Sequence, residues 1–232
     1  GTANITTAMI NNGSSDNCSI QAITISKSSF NCTNLGANNV ILTVTDVSGN
    51  ISTCNSVVTV VDNQAPVFTS CPTTPGSLCA DNLTTYTKVG TSWNVLATDN
   101  CSVSSLTYTL SGSTTGTGTS LNGVAFNVGT TTVTWKATDV AGNTSNCVFT
   151  VTINGLPVIT TQPIAQLDCE GASVNFTVVA TGVGLTYAWQ YKKPSDLSYI
   201  SILSNSTNVD NFNENKITVR NVGSAQFPSG TL

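Results

Sequence analysis

Eight cysteines, eleven acidic residues and no histidine are the groups in this 232-residue chain that could do chemistry. Without histidine, neither a Ser-His-Asp nor a Cys-His nucleophile can be assembled from these residues. A glycosidase-like pair would require two of the scattered carboxylates to converge. A thiolate zinc site usually shows Cys-x-x-Cys spacing, and none is present. What remains is oxidation of the cysteines to disulfides, which needs an oxidising compartment. The chain is therefore expected to be extracellular, to carry no catalytic residue and to be no enzyme.

The cysteines sit in a pattern that occurs twice. Asp16-Asn17-Cys18-Ser19 returns as Asp99-Asn100-Cys101-Ser102. Thr45-Asp46-Val47-Ser48-Gly49-Asn50 with Cys54 returns as Thr138-Asp139-Val140-Ala141-Gly142-Asn143 with Cys147. Equivalent positions predict the disulfides Cys18–Cys54 and Cys101–Cys147, with Cys71 and Cys79 paired locally. Cys32 and Cys169 stand two modules apart, and each is assigned a partner outside the chain. Cys32 lies in a three-residue expansion between Phe30 and Val40, relative to Phe126 and Val133.

The repeated acids have two readings. Asp46 and Asp139 can accept hydrogen bonds from the amides of their own turns, and Asp16 and Asp99 can cap loops beside the cysteines. Alternatively Asp46, Asp139 and Asp62 are candidate calcium ligands, because calcium takes clustered carboxylates and backbone oxygens. Only two glutamates and no acidic run favour the turn reading. Calcium is the one cofactor under consideration.

The elements that must position these groups read as strands. Val40–Val44, Val57–Val61, Thr131–Ala137 and Val148–Ile153 are β-branched runs closed by turn residues. Asp-Val-x-Gly-Asn between each pair is a tight hairpin turn in which glycine supplies positive φ. Strands at this spacing predict an all-β fold of tandem immunoglobulin-like sandwiches in an elongated array. Trp135 is assigned to the core. Pro66 and Pro157 mark short junctions, which divides the chain into residues 1–64, 65–155 and 156–232, the first and last cut inside a module.

Composition narrows the partners. Charged residues make up 8%, and Lys and Arg total 7 for a net charge of −4, so no basic footprint for nucleic acid exists. There is no apolar run near the ~20 residues of a membrane span. Asn-x-Ser/Thr sequons such as Asn82-Leu83-Thr84 arise by chance in a chain this rich in those residues.

The third region has its own signature. Cys169 is followed by the alternating run Ser173–Ala180, and Trp189 comes twenty residues after the cysteine. That order fits an immunoglobulin-like sandwich with Trp189 in the core. Tyr187, Trp189 and Tyr191 alternate onto one face. Together with Tyr199 they could stack on sugar rings, but such a face is more often core.

These motifs resemble the hyalin-repeat (HYR) family. The pattern is Asp-Asn-Cys, then Phe126-Asn127-Val128-Gly129, then Thr-Asp-x-x-Gly-Asn and a cysteine, with Cys71-Pro72 following the Ala65-Pro66 junction. The second unit matches over nearly its whole length, the first over its later half. The third is similar to bacterial immunoglobulin-like repeats. The combination resembles the giant surface proteins of gliding Bacteroidetes, among them the gliding-motility adhesin exported by type IX secretion. The resemblance implies a repeat segment of a secreted, cell-surface adhesin filament for attachment or gliding motility. Its implied partners are a surface polysaccharide or substratum, neighbouring repeats, and the secretion and motility machinery. The alternatives are a spacer or accessory region of a secreted multidomain enzyme, or a passive stalk whose adhesive tip lies elsewhere.

Overall fold

Alternation of apolar and polar residues over runs of ten or so builds long antiparallel hairpins. In the computed structural model, which describes residues 1–165, 172–192, 197–201, 209–210 and 215–219, the first repeat contains β1 (Thr2–Asn4), a single helical turn α1 (Thr7–Ile10), β2 (Ile20–Ile25), β3 (Ser29–Asn31), β4 (Gly36–Asp46) and β5 (Ile51–Val60). Strands β2, β4 and β5 form one antiparallel sheet in that order, and β1 pairs with β3. Phe30, Val40 and Leu42 are buried.

The second repeat contains β6 (Val67–Ser70), β7 (Leu78–Cys79), β8 (Thr85–Thr87), β9 (Leu96–Thr98), β10 (Val103–Gly112), β11 (Gly116–Gly118), β12 (Ala125–Asn127), β13 (Gly129–Asp139) and β14 (Thr144–Asn154). Its main sheet runs β11-β10-β13-β14-β7, with β7 parallel to β14 and the other pairs antiparallel. The short pairs β6–β9 and β8–β12 complete the strand set. Alternate residues of β13 and β14 point inward. Thus Val133, Trp135, Ala137, Phe149, Val151 and Ile153 are buried. Trp135 is 1% exposed and packs edge-on against Tyr108 with ring centroids 5.3 Å apart. Its indole N–H donates to the Trp93 carbonyl at 3.1 Å, so the polar handle of this core residue is satisfied. The Trp93 ring in turn meets Phe149 at 6.2 Å.

The described chain divides into two compact units. Residues 1–75, 88–124 and 130–151 form one, and residues 76–87, 125–129 and 152 onward form the other. The second unit includes β15 (Val158–Thr161), β16 (Val174–Thr177), β17 (Val179–Thr181), β18 (Gln190–Tyr191), β19 (Ile200–Ser201), β20 (Val209–Asp210) and β21 (Lys216–Val219). The run expected as one strand, Ser173–Ala180, is split at Val178. Before it, β16 pairs with β21; after it, β17 pairs with β15. Val178 itself is buried and donates its amide to Asn215 at 2.9 Å. A strand that changes sheets in this way is a sandwich corner. The architecture is all-β, as tandem immunoglobulin-like sandwiches.

One core assignment is corrected here. Trp189 is half-buried and lies in irregular chain just before β18, because only Gln190 and Tyr191 of its run pair with a neighbour. Cys169 lies outside the described residues.

Candidate metal centre

Each repeat closes its hairpin with the same aspartate turn. The Asp46 amide donates to the Asn50 carbonyl at 3.0 Å, and the Asp139 amide to Asn143 at 3.1 Å. Asp46 Oδ1 accepts from the amides of Ser48 and Asn50, both at 2.8 Å, and Oδ2 accepts from Asn50 Nδ2 at 2.7 Å. Asp139 Oδ1 accepts from the Asn143 amide and Oδ2 from Asn143 Nδ2, both at 2.8 Å. Gly49 and Gly142 follow at φ of 86° and 94°, where a side chain would be strained.

These bonds set the acidity of both groups. The Asn50 side chain and amide hold the Asp46 carboxyl below its ordinary value. At Asp139 burial opposes ionisation, and the bonds from Asn143 and the turn amides outweigh it, so its carboxyl is also lowered.

The Asp-Asn-Cys triplet of the second repeat is used at every residue. Asp99 Oδ1 accepts from the Cys101 amide at 2.8 Å and the Ser102 amide at 3.2 Å. Asn100 Nδ2 donates to Asp62 Oδ1 at 3.2 Å. Cys101 is bonded to Cys32, with a Cα–Cα distance of 5.2 Å. Asp62, in the chain between β5 and β6, is held a second time: Asn143 Nδ2 donates to its backbone carbonyl at 3.1 Å. Asp62, Asp99 and Asp139 are thereby brought together, each offering a carboxylate oxygen within 4.8 Å of the others. Asp139 is 2% exposed. Asp62 Oδ2 and Asp99 Oδ2 are enclosed and accept no hydrogen bond. Of the candidate calcium ligands read from the sequence, Asp62 and Asp139 meet here. Asp46 does not: it lies in the turn of the other repeat, and Asp99 stands in its place.

The disulfide pattern corrects four expectations. Cys101 does not pair with Cys147, and Cys18 does not pair with Cys54. The cause is strand order. In the second repeat β13 lies between β10, which follows Cys101, and β14, which carries Cys147. Two strand spacings are about 9–10 Å, beyond the roughly 7 Å that a disulfide spans. In the first repeat β4 separates β2 from β5 in the same way. Cys147 instead pairs with Cys71, with Cα atoms 5.9 Å apart, which also removes the expected Cys71–Cys79 bond. Cys79 sits on β7 opposite Asn154. Cys18, Cys54 and Cys79 are exposed free thiols.

Cys32, assigned a partner outside the chain, has one inside it. The three-residue expansion around it forms a 3-10 turn, Cys32–Asn34, whose N-terminus is closed by a capping box between Asn31 and Asn34. That turn presents the sulfur to the next repeat. The signal was present in the sequence: the second repeat has Val128 where the first has Cys32, so repeat symmetry leaves Cys32 without an equivalent to pair by.

The aromatic residues do not assemble into an exposed platform. Tyr187, Trp189 and Tyr191 are half-buried, while Tyr199 is 65% exposed with Lys192 Nζ 5.7 Å from its ring centre. Among the described residues, no helix is long and apolar enough to cross a membrane.

No curated protein matches the chain. Among solved structures, a three-domain immunoglobulin fragment from the I band of titin is 16% identical, with a TM-score of 0.49, over 88% of this chain and 73% of that one. The three N-terminal domains of the outer capsid protein Hoc of bacteriophage RB49 are 12% identical, with a TM-score of 0.43, over 84% and 71%. Extracellular domains 3–5 of Drosophila OTK are 15% identical, with a TM-score of 0.37, over 84% and 64%. No catalytic family is indicated. Residues 61–153 match the HYR domain, and all three clustered aspartates fall inside that span.

Proposed function

We propose that the chain is a repeat segment of a large secreted cell-surface adhesin, carrying tension between a cell and the surface it attaches to or glides over. The observation that carries this reading is the Cys32–Cys101 bond, which joins one repeat covalently to the next. Load applied along the chain then meets a crosslink in addition to a single strand of linker. The match to the HYR domain and the low surface charge support an extracellular repeat. Grip would come from many weak contacts in series, against a polysaccharide or other substratum. Export by type IX secretion belongs to the same proposal.

Antibody raised to this segment and applied to intact living cells tests it. Label in long arrays moving over the cell surface is the expected result. Label confined to the medium overturns it in favour of a spacer in a secreted enzyme. Replacing the repeats with unrelated sandwiches of equal length separates grip from stalk: attachment is expected to fall, and unchanged attachment assigns the adhesive tip elsewhere.

A further inference from the structure

We propose that Asp62, Asp99 and Asp139 form a calcium site that clamps the joint between the first and second repeats. The inference does not depend on what the chain adheres to. Three carboxylates lie within 4.8 Å of one another, and no lysine or arginine among the described residues forms an ion pair with any of them. Like charges this close repel strongly when partly withdrawn from water. The orientation of the groups gives an independent pointer to a ligand. Protein donors occupy Oδ1 of Asp62 and Asp99, namely Asn100 Nδ2 and the amides of Gln64, Cys101 and Ser102. The second oxygen of each is enclosed from solvent with no donor at all. An enclosed carboxylate oxygen without a protein donor calls for a cation or an ordered water, and three converging negative charges favour the cation.

The donor set selects the cation. Only carboxylate oxygens converge, with no thiol or imidazole among them, so a hard divalent ion is favoured over zinc or copper. Oxygens bound to calcium at roughly 2.3–2.6 Å lie at most about 5 Å apart, which this cluster satisfies. Magnesium demands shorter, near-octahedral contacts and is expected to bind more weakly.

The three ligands come from three different segments: the linker after β5, the loop before β10, and the end of β13. A cation there ties the linker to the second repeat beside the Cys32–Cys101 bond. Its removal leaves the covalent bond intact but frees the stretch Asn63–Ala65.

Titration calorimetry on the chelator-stripped chain, with calcium chloride and then magnesium chloride up to about 10 mM, tests the site, since weak extracellular calcium modules bind near 10⁻⁴–10⁻³ M. One calcium per chain is expected, with a rise in melting temperature and slower proteolysis between Asp62 and Pro66. Asp99→Asn and Asp62→Asn are each expected to weaken binding at least tenfold while Asp46→Asn leaves it unchanged. Asp62 lies in the linker, so Asp62→Asn remains readable even if Asp99→Asn fails to fold. Absence of binding and of any thermal shift overturns the proposal, as does binding that survives Asp62→Asn or is lost in Asp46→Asn.

Discussion

On β5 of the first repeat, Ser56, Val58 and Val60 are half-buried. On β14 of the second, the equivalent Phe149, Val151 and Ile153 are 3%, 0% and 1% exposed. Along β4 and β13 the two copies agree better: Val40 and Val133 are fully buried, and Leu42 and Trp135 nearly so. The hairpins therefore share register, turn and bulge, yet only one is covered on both strands. Ile20 pairs with Asp46 and Ala22 with Thr45, just as Val103 pairs with Asp139 and Ser105 with Thr138. The difference lies in what packs on top. In the second repeat the ring of Trp93 covers Phe149, with ring centroids 6.2 Å apart. Local sequence specifies a hairpin, and a second layer converts it into a core.

This comparison can be broken by truncating the centre of the better-covered repeat. Trp135→Ala is expected to cost about 3–5 kcal/mol. Urea unfolding followed at residues of the second repeat would show it as a large drop in midpoint, and a drop below about 1 kcal/mol would mean the second repeat is no better packed than the first.

Removing the Cys71–Cys147 bond, which closes a separation of 76 residues, is expected to cost roughly 4 kcal/mol on chain-entropy grounds. Cys71→Ala with Cys147→Ala, compared by thermal melting with the intact chain, checks it. Peptide-level maleimide mapping of the folded protein sharpens the contrast between the copies. Cys18 and Cys54 should be labelled, while their equivalents Cys101 and Cys147 should be protected. Protection of Cys18 and Cys54 together would reinstate the bond between them.

Two smaller effects belong to the first repeat. Ser19 has φ of 108°, the one described non-glycine residue with positive φ, and its equivalent Ser102 does not share it. Ser19→Gly should stabilise the first repeat by about 1 kcal/mol, visible as a higher melting temperature. The Asp46 carboxyl is held below its ordinary value of 3.8, chiefly by the Asn50 side chain and amide. Its ionised form therefore contributes stability that is complete above that value and is lost as pH falls through the lower folded-state value. Asp46→Asn is expected to flatten the loss of stability in this acid range. Nuclear magnetic resonance titration of Asp46 with a midpoint at or above 3.8 would refute the assignment.

Much of this could be read along the chain. Val40–Val44 and Thr131–Ala137 alternate, Asp-Val-x-Gly-Asn closes a tight turn, and the absence of histidine removes most catalytic triads, because each of these depends on neighbours a few residues away. The duplicated turn marked Asp139, and the junction before Pro66 marked Asp62, as worth attention. Only the tertiary structure decided which cysteines and which acids meet. Equivalent positions in two copies suggested Cys101–Cys147, but the order β10-β13-β14 inserts a strand between them, and strand order is a long-range property that repeat phase does not carry. Cys32 reaches Cys101 and Asp62 reaches Asp99 and Asp139 because two successive repeats dock through the linker, and such a contact is set by packing across the joint and not by the spacing within either copy.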